Sequence, residues 1–275
     1  MKFREYLNEV MLTFDKHTHP KFGEVIILAG GAGSGKGFIK SNIIGVEGIV
    51  FNVDRLKELA IHSTVLADKV KEKYGKSIKN LDLTEPENVK FLHNIFAAMK
   101  ISDKQIKTAL KSIILAPKDR KPNIIFDVTM KDMTKFINIA NDILNIGYDK
   151  ENISIVWVLN TISMALKQNK TRDRMVPEDI LLATHDGVSY TMNKILNMGQ
   201  SLDKYIKGEI YLVFNQANID NDVKKSKNGG QYIKAQDYIL LKARNKTVKK
   251  SDIDDRIIQK IKRYVPNSDI WNINL

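Results

Sequence analysis

The chain has no cysteine, which removes disulfides, a thiolate-held zinc site and a cysteine nucleophile together. It also lacks any run of the roughly 18 apolar residues that a membrane span needs, so no membrane partner is expected. The opening MKFREYLNEVMLTF is interrupted by Arg4, Glu5 and Glu9 and has no apolar core of secretory length. A cytoplasmic setting is the default expectation. From residue 224 onward glutamate is absent as well, while Lys and Arg occur thirteen times against five Asp. That tail therefore carries +8 of the chain's +12, and the preceding 223 residues carry only +4. A basic tail of this kind suits a polyanion such as nucleic acid.

What remains is ordinary for a globular protein. The 275 residues are 43% hydrophobic and 28% charged, enough to bury a sizeable core. Five short, nearly continuous β-branched runs stand out: Glu24 to Ala29, Ile49 to Val53, Asn123 to Phe126, Ile153 to Leu159 and Glu209 to Phe214. Continuous rather than alternating runs are those of parallel strands covered on both faces. Helical patterns separate them, most clearly Lys131 to Ile146, with Gly147 placed as its stop. Strand and helix in alternation predict an α/β fold with a doubly wound parallel sheet of about five strands.

The interval 55–122 is too long for a plain crossover and predicts a helical insertion after the second strand, with helices near 54–74, 86–99 and 102–115. Phe3, Tyr6, Leu7, Val10, Met11 and Phe14 recur at helical spacing and predict a packing helix at the start. Asn218 to Gly230 reads as a linker, dividing a domain over 1–223 from a small basic appendage over 224–275. In the appendage QYIKA and DYILLKA predict two short strands. A helix is expected to start at Ser251, with Ile253, Ile257, Ile258 and Ile261 on the face that docks. His17 and His19 lack a third ligand and read as surface residues rather than a metal site.

The chemistry is concentrated in GGAGSGKG, where Gly30, Gly31, Ala32, Gly33, Ser34, Gly35, Lys36 and Gly37 follow a predicted strand and open a helix. This is the phosphate-loop pattern: glycines let successive N–H groups turn towards phosphate, and Lys36 neutralises the outer phosphates. The ligand implied is ATP. One position departs from the pattern, because the residue after Lys36 is Gly37 and not the Ser or Thr whose hydroxyl holds Mg²⁺. Mg²⁺ then falls to the nucleotide, to water and to a carboxylate elsewhere. In an open α/β sheet ligands sit beyond the carboxyl ends of the strands, and Asp54 and Asp127 follow the second and third strands there. One would serve as base for an acceptor hydroxyl and the other as a ligand to Mg²⁺ or its waters. The plainer readings are an N-cap for Asp54 and a turn residue for Asp127.

GGAGSGKG, FNVDRLKEL, IIFDVTMKD and NKTRDRMVPEDILLATHDGV together resemble the zeta toxin group of P-loop kinases and, more loosely, polynucleotide kinase domains. The resemblance spans Val25 to Phe214. It implies that Asp54 is the base, that Asp127 and Thr129 contact the substrate, and that 165–190 is a lid whose Arg172 and Arg174 close over the triphosphate. Asp127 and Val128 replace the Glu and Gly of the family's Glu–Gly–Thr motif. His185 is read as structural. The activity implied is ATP-dependent phosphorylation of a hydroxyl on a nucleotide, sugar nucleotide or nucleic acid, with an antitoxin-like protein as a candidate partner. The alternative class is a nucleotide-binding module that transfers nothing.

Overall fold

The computed structural model describes residues 11–171, 174–215, 223–225, 231–233 and 237–274. Strands β1 (Val25–Ala29), β2 (Ile49–Asn52), β3 (Ile124–Val128), β4 (Ile153–Leu159) and β5 (Ile210–Phe214) pair in parallel in the order β2-β3-β1-β4-β5. β1 thus lies in the middle with its carboxyl end opening directly into the glycine-rich loop. Alternate residues of β1 enter different cores. Val25, Ile27 and Ala29 face the larger one, whereas Ile26 and Leu28 join Leu12, Phe14, Ile39 and Ile43 on the other side. Burial on both faces accounts for the unbroken apolar runs in the sequence.

Among the described residues the helices are α1 (Lys36–Asn42), α2 (Val53–Ala60), α3 (Thr64–Tyr74), α4 (Pro86–Met99), α5 (Ile101–Ile113), α6 (Met133–Asn145), α7 (Ile162–Lys170), α8 (Glu178–Leu196) and α9 (Asp255–Lys262). The insertion after β2 holds one more helix than the periodicity suggests, because Ser63 interrupts the first and accepts from Leu66 N to cap a new one. Ala67, Val70, Leu92, Ile95 and Phe96 give these helices a core of their own. Asp132, not Lys131, starts α6: its carboxylate accepts from Lys135 N, and Gly147 ends the segment in a left-handed conformation.

Two further differences concern the ends. Residues 1–10 of the expected opening helix lie outside the described residues, and the rest is not helical: Leu12 bridges Ile44, and Phe14 bridges His17. Tertiary pairing outweighs helical spacing there. At the other end, β6 (Val223–Lys225) and β7 (Gln231–Ile233) form a small hairpin, while β8 (Asp237–Lys242) pairs antiparallel with β5 as a sixth strand of the main sheet. An antiparallel neighbour needs no helical crossover, so a short connection suffices. The last helix begins after Asp254, whose carboxylate accepts from Ile257 N, and not at Ser251.

Residues 237–273 are built into the body of the protein. Leu241, Val248, Ile253, Ile261 and Tyr264 belong to the larger core, and Trp271 stacks on Trp157 of β4 with ring centroids 5.1 Å apart. Among the described residues no helix is long and apolar enough to cross a membrane.

Candidate active site

The glycine-rich loop is held from two sides. Thr184 and His185 of α8 grip the same residue: Ala32 N donates to Thr184 Oγ1 at 3.0 Å, and His185 Nε2 lies 2.7 Å from Ala32 O. A carbonyl only accepts, so Nε2 carries the hydrogen. Burial lowers the His185 pKa and nearby Lys36 adds to the effect, while the bond to Ala32 opposes both. His185, read as structural in the sequence, here contacts the loop backbone. Its ring fills the space a Cβ on Gly31 would need. On the far side Asn215, directly after β5, donates from Nδ2 to Ser34 O at 3.0 Å. Gly35 must be glycine on two counts, a φ of 89° and the overlap of any Cβ with that amide. Lys36 Nζ donates to Gly30 O at 2.8 Å and to Gly31 O at 3.3 Å, keeping its charge at the mouth of the loop.

Gly37 is different, for nothing lies within 4 Å of a Cβ placed there. Steric fit therefore does not account for the missing hydroxyl. Gly37→Ser should fold normally and gain a few tenths of a kcal/mol from better helix propensity, about 0.5 at most. A thermal melt with and without Mg²⁺ and ATP checks this, and a lower melting temperature would show that the open space is filled by something else.

The second wall comes from the β2–β3 edge. Asn52 pairs with Asp127 in the parallel register, which sets their side chains side by side, and Asn52 Nδ2 donates to Asp127 Oδ2 at 2.8 Å. Asn52 Oδ1 meanwhile accepts from Asp54 N and Arg55 N, capping α2. The cap thus belongs to Asn52, which leaves the Asp54 carboxylate for other work. Asp127 is the fourth residue of β3 and lies within the strand, two residues earlier than a turn would place it; Thr129 follows the strand and lines the same cleft.

The turn between α7 and α8 falls within 165–190, the segment expected as a lid. Asn169 closes it by donating to Val176 O and accepting from Val176 N, and Met175 N reaches Leu83 O of the insertion. Arg174, only 8% exposed, projects from this turn and pairs with Asp54, Nη2 to Oδ2, at 2.7 Å. Lys57, one turn along α2, approaches the other oxygen at 3.6 Å. Burial would raise the Asp54 pKa, but Arg174, Lys57 and Lys36 together outweigh it and hold the carboxyl below its ordinary value of 3.8. Its side chain keeps 43% exposure, all the same, and opens to a cleft of about 1510 Å³ that also takes in Lys36, Asp127 and Thr129. Arg172 lies outside the described residues.

No family model matches the chain, and no curated protein does. Among solved structures, the AvrRxo1-ORF1:-ORF2 complex with ATP aligns at 11% identity and TM-score 0.49, covering 96% of this chain and 75% of that one. The native form of that complex aligns at 13% and 0.46, over 96% and 74%. A structure from the PezAT chromosomal toxin-antitoxin system of Streptococcus pneumoniae aligns at 14% and 0.42, over 72% and 69%. At such identities and scores these likenesses leave the chemistry to be argued from the chain's own residues.

Sequence reasoning assigns no role to Lys57, His93, Thr184 or Asn215, all of which line the cleft. One signal was available for Asn215, since a polar residue directly after a core strand is the same cue that selects Asp54.

Proposed function

We propose that the chain is an ATP-dependent kinase that transfers the γ-phosphoryl group of ATP to a hydroxyl of a nucleotide, sugar-nucleotide or nucleic-acid acceptor. The observation that carries this reading is one carboxylate, Asp54, kept ionised by cations and opening to the same cleft as the phosphate-loop lysine. Residues Gly30 to Gly37 cradle the phosphates, and Lys36 offsets charge on the outer ones. Asp54 takes the proton of the acceptor hydroxyl as its oxygen forms a bond to the γ-phosphorus, the bond from that phosphorus to the β–γ bridging oxygen breaks, and ADP leaves. Arg174 is placed to stabilise the charge on the transferring group, and Arg172 is assigned the same task by the resemblance alone.

Mg²⁺ fits the donor set to a limited extent. It prefers oxygen ligands and keeps several waters, and Asp127 offers a carboxylate with only one oxygen engaged by Asn52. No cluster of three metal-ligating side chains exists among the described residues, so the nucleotide and water would supply most ligands. Bound there, the ion would neutralise charge developing on the β- and γ-phosphate oxygens. An antitoxin-like protein partner belongs to the same proposal.

Purified protein incubated with γ-labelled ATP and Mg²⁺ should pass label to at least one member of a panel of nucleotides, sugar nucleotides and nucleic acids. Absence of both nucleotide binding and transfer across that panel would end the kinase reading.

A further inference from the structure

The β2–β3 side of the cleft holds more positive charge than the transfer step requires. Arg174 already pairs with Asp54 at 2.7 Å, yet Lys57 is also buried beside it, only 6% exposed. Burying a second cation against a carboxylate already engaged is costly unless another anion is supplied. The next neighbour of Lys57 is no acid. It is His93 of α4, whose Nδ1 lies 3.4 Å from Lys57 Nζ. Lys131, in the loop after β3, is exposed, lines the same cleft and forms no ion pair among the described residues. Arg174 Nη1 is buried there without a hydrogen-bond partner. These groups come from α2, α4, the β3 loop and the lid, four elements with little else in common, and they converge beside a single carboxylate.

Burial and, after it, mutual repulsion lower the pKa of buried Lys57 and of half-buried His93. The Lys57 pKa is lowered, first by burial and then by Arg174 and Lys131, with Asp54 opposing. The His93 pKa is lowered by burial, Lys57 and Lys131, with Asp54 again opposing and Arg174 adding to the effect. The charged groups that face His93 are thus Lys57 and Asp54 on α2, Lys131 after β3 and Arg174 from the lid.

The phosphate-loop pattern already assigns the nucleotide's own phosphates a place. They belong over the loop that follows β1, where Lys36 is stationed, whereas Lys57, His93 and Lys131 are set on the β2–β3 side, next to the proton acceptor. Resting on the kinase reading for the word acceptor, we propose that Lys57, His93 and Lys131 form a second anion subsite, which holds a phosphate group carried by the acceptor itself. Because Lys57 Nζ is 3.6 Å from Asp54 Oδ1, that phosphate and the hydroxyl to be phosphorylated lie close together on one molecule. Acceptors without a phosphate near the hydroxyl, free sugars and nucleosides among them, are poor substrates on this account. Protonated His93 gains a dianionic partner, so anion binding and proton uptake at this ring go together.

The test uses the full chain, inorganic phosphate as the probe and the ring protons of His93 as the readout, assigned by their loss in His93→Gln. Adding phosphate should raise the His93 titration midpoint by about one pH unit, a tenfold gain in proton affinity. The rise should persist in Lys36→Met, which disables the phosphate loop, and should shrink or vanish in Lys57→Met and in Lys131→Met. Lys131 is exposed, so its replacement does not threaten the fold. An unresponsive His93 in the parent chain overturns the proposal, as does a response lost in Lys36→Met or one retained in both other variants. None of these readings depends on turnover: a chain that binds no ATP but shows the expected His93 behaviour loses the kinase reading and keeps the anion subsite.

Discussion

Asp54→Asn is expected to abolish phosphoryl transfer while leaving ATP binding intact. The amide is nearly isosteric and cannot take a proton, so the loss should be at least about 100-fold and up to about 10⁴-fold in rate, the range for removing a positioned general base. Binding should survive because none of the groups that hold the glycine-rich loop touches Asp54: the loop is held by Thr184, His185 and Asn215. Removing a negative charge close to Lys36 favours the triphosphate if anything. The pH profile adds an independent check. Arg174, Lys57 and Lys36 hold the Asp54 carboxyl below 3.8 against the opposing effect of burial, so the base is already ionised throughout the neutral range. The acid limb of kcat/KM should accordingly fall below pH 4 rather than near neutrality. An Asn variant that still transfers phosphate would leave a nucleotide-binding module as the better reading, and one that loses ATP affinity in parallel would make Asp54 a structural residue.

The parts of this site that were legible in the sequence are those encoded within a few residues. The glycine-rich loop is a local pattern, and its strand and helix could be placed from flanking periodicity. Asp54 was legible because strand direction puts the ends of β1, β2 and β3 at one edge. Lys57 and His93 were not, since nothing in FNVDRLKEL or in the α4 stretch shows that the insertion folds back to bring His93 within 3.4 Å of Lys57. That contact depends on the insertion's own core of Val70, Leu92 and Phe96.

The basic tail shows a second kind of limit. Counting charge from residue 224 gives +8, but two of those cations face inward. Lys242 is 2% exposed and donates to Gly208 O at 2.7 Å; burial brings its pKa down to about 8. Arg244 is engaged with two carboxylates. Charge available to a polyanion is correspondingly less than composition suggests, and what remains exposed includes Lys246, Lys249, Lys250, Arg256 and Arg263. DYILLKA reads as a strand in the sequence, but its place as the sixth strand of the main sheet comes only from pairing with β5.

Arg244→Met should destabilise the fold by about 3–5 kcal/mol, the range for breaking a buried ion pair by removing one partner. Arg244 follows β8, Glu24 precedes β1 and Glu209 precedes β5, and the guanidinium bonds to both carboxylates at 2.9–3.2 Å and to Asn152 Oδ1 at 3.0 Å. All three charged side chains are close to nine-tenths buried or more. Without the arginine, two acids face each other at the edge of the sheet opposite the cleft. The loss should depend on pH in a stated direction. Burial already raises the Glu24 pKa above 4.5, with Arg244 opposing, and removing Arg244 raises it further. A carboxyl with a raised folded pKa binds more protons folded than unfolded, so stability falls as pH rises from 4.5 through that folded value. The variant's deficit should therefore be larger at pH 8 than at pH 5, as measured by denaturant unfolding at both. Glu24→Gln added to Arg244→Met should recover part of it by removing the charge that must be neutralised. A deficit below about 1 kcal/mol, the size of an exposed pair, with no change between the two pH values, would mean that stacking of Trp271 on Trp157 and the pairing of β8 hold this segment without the ion pair.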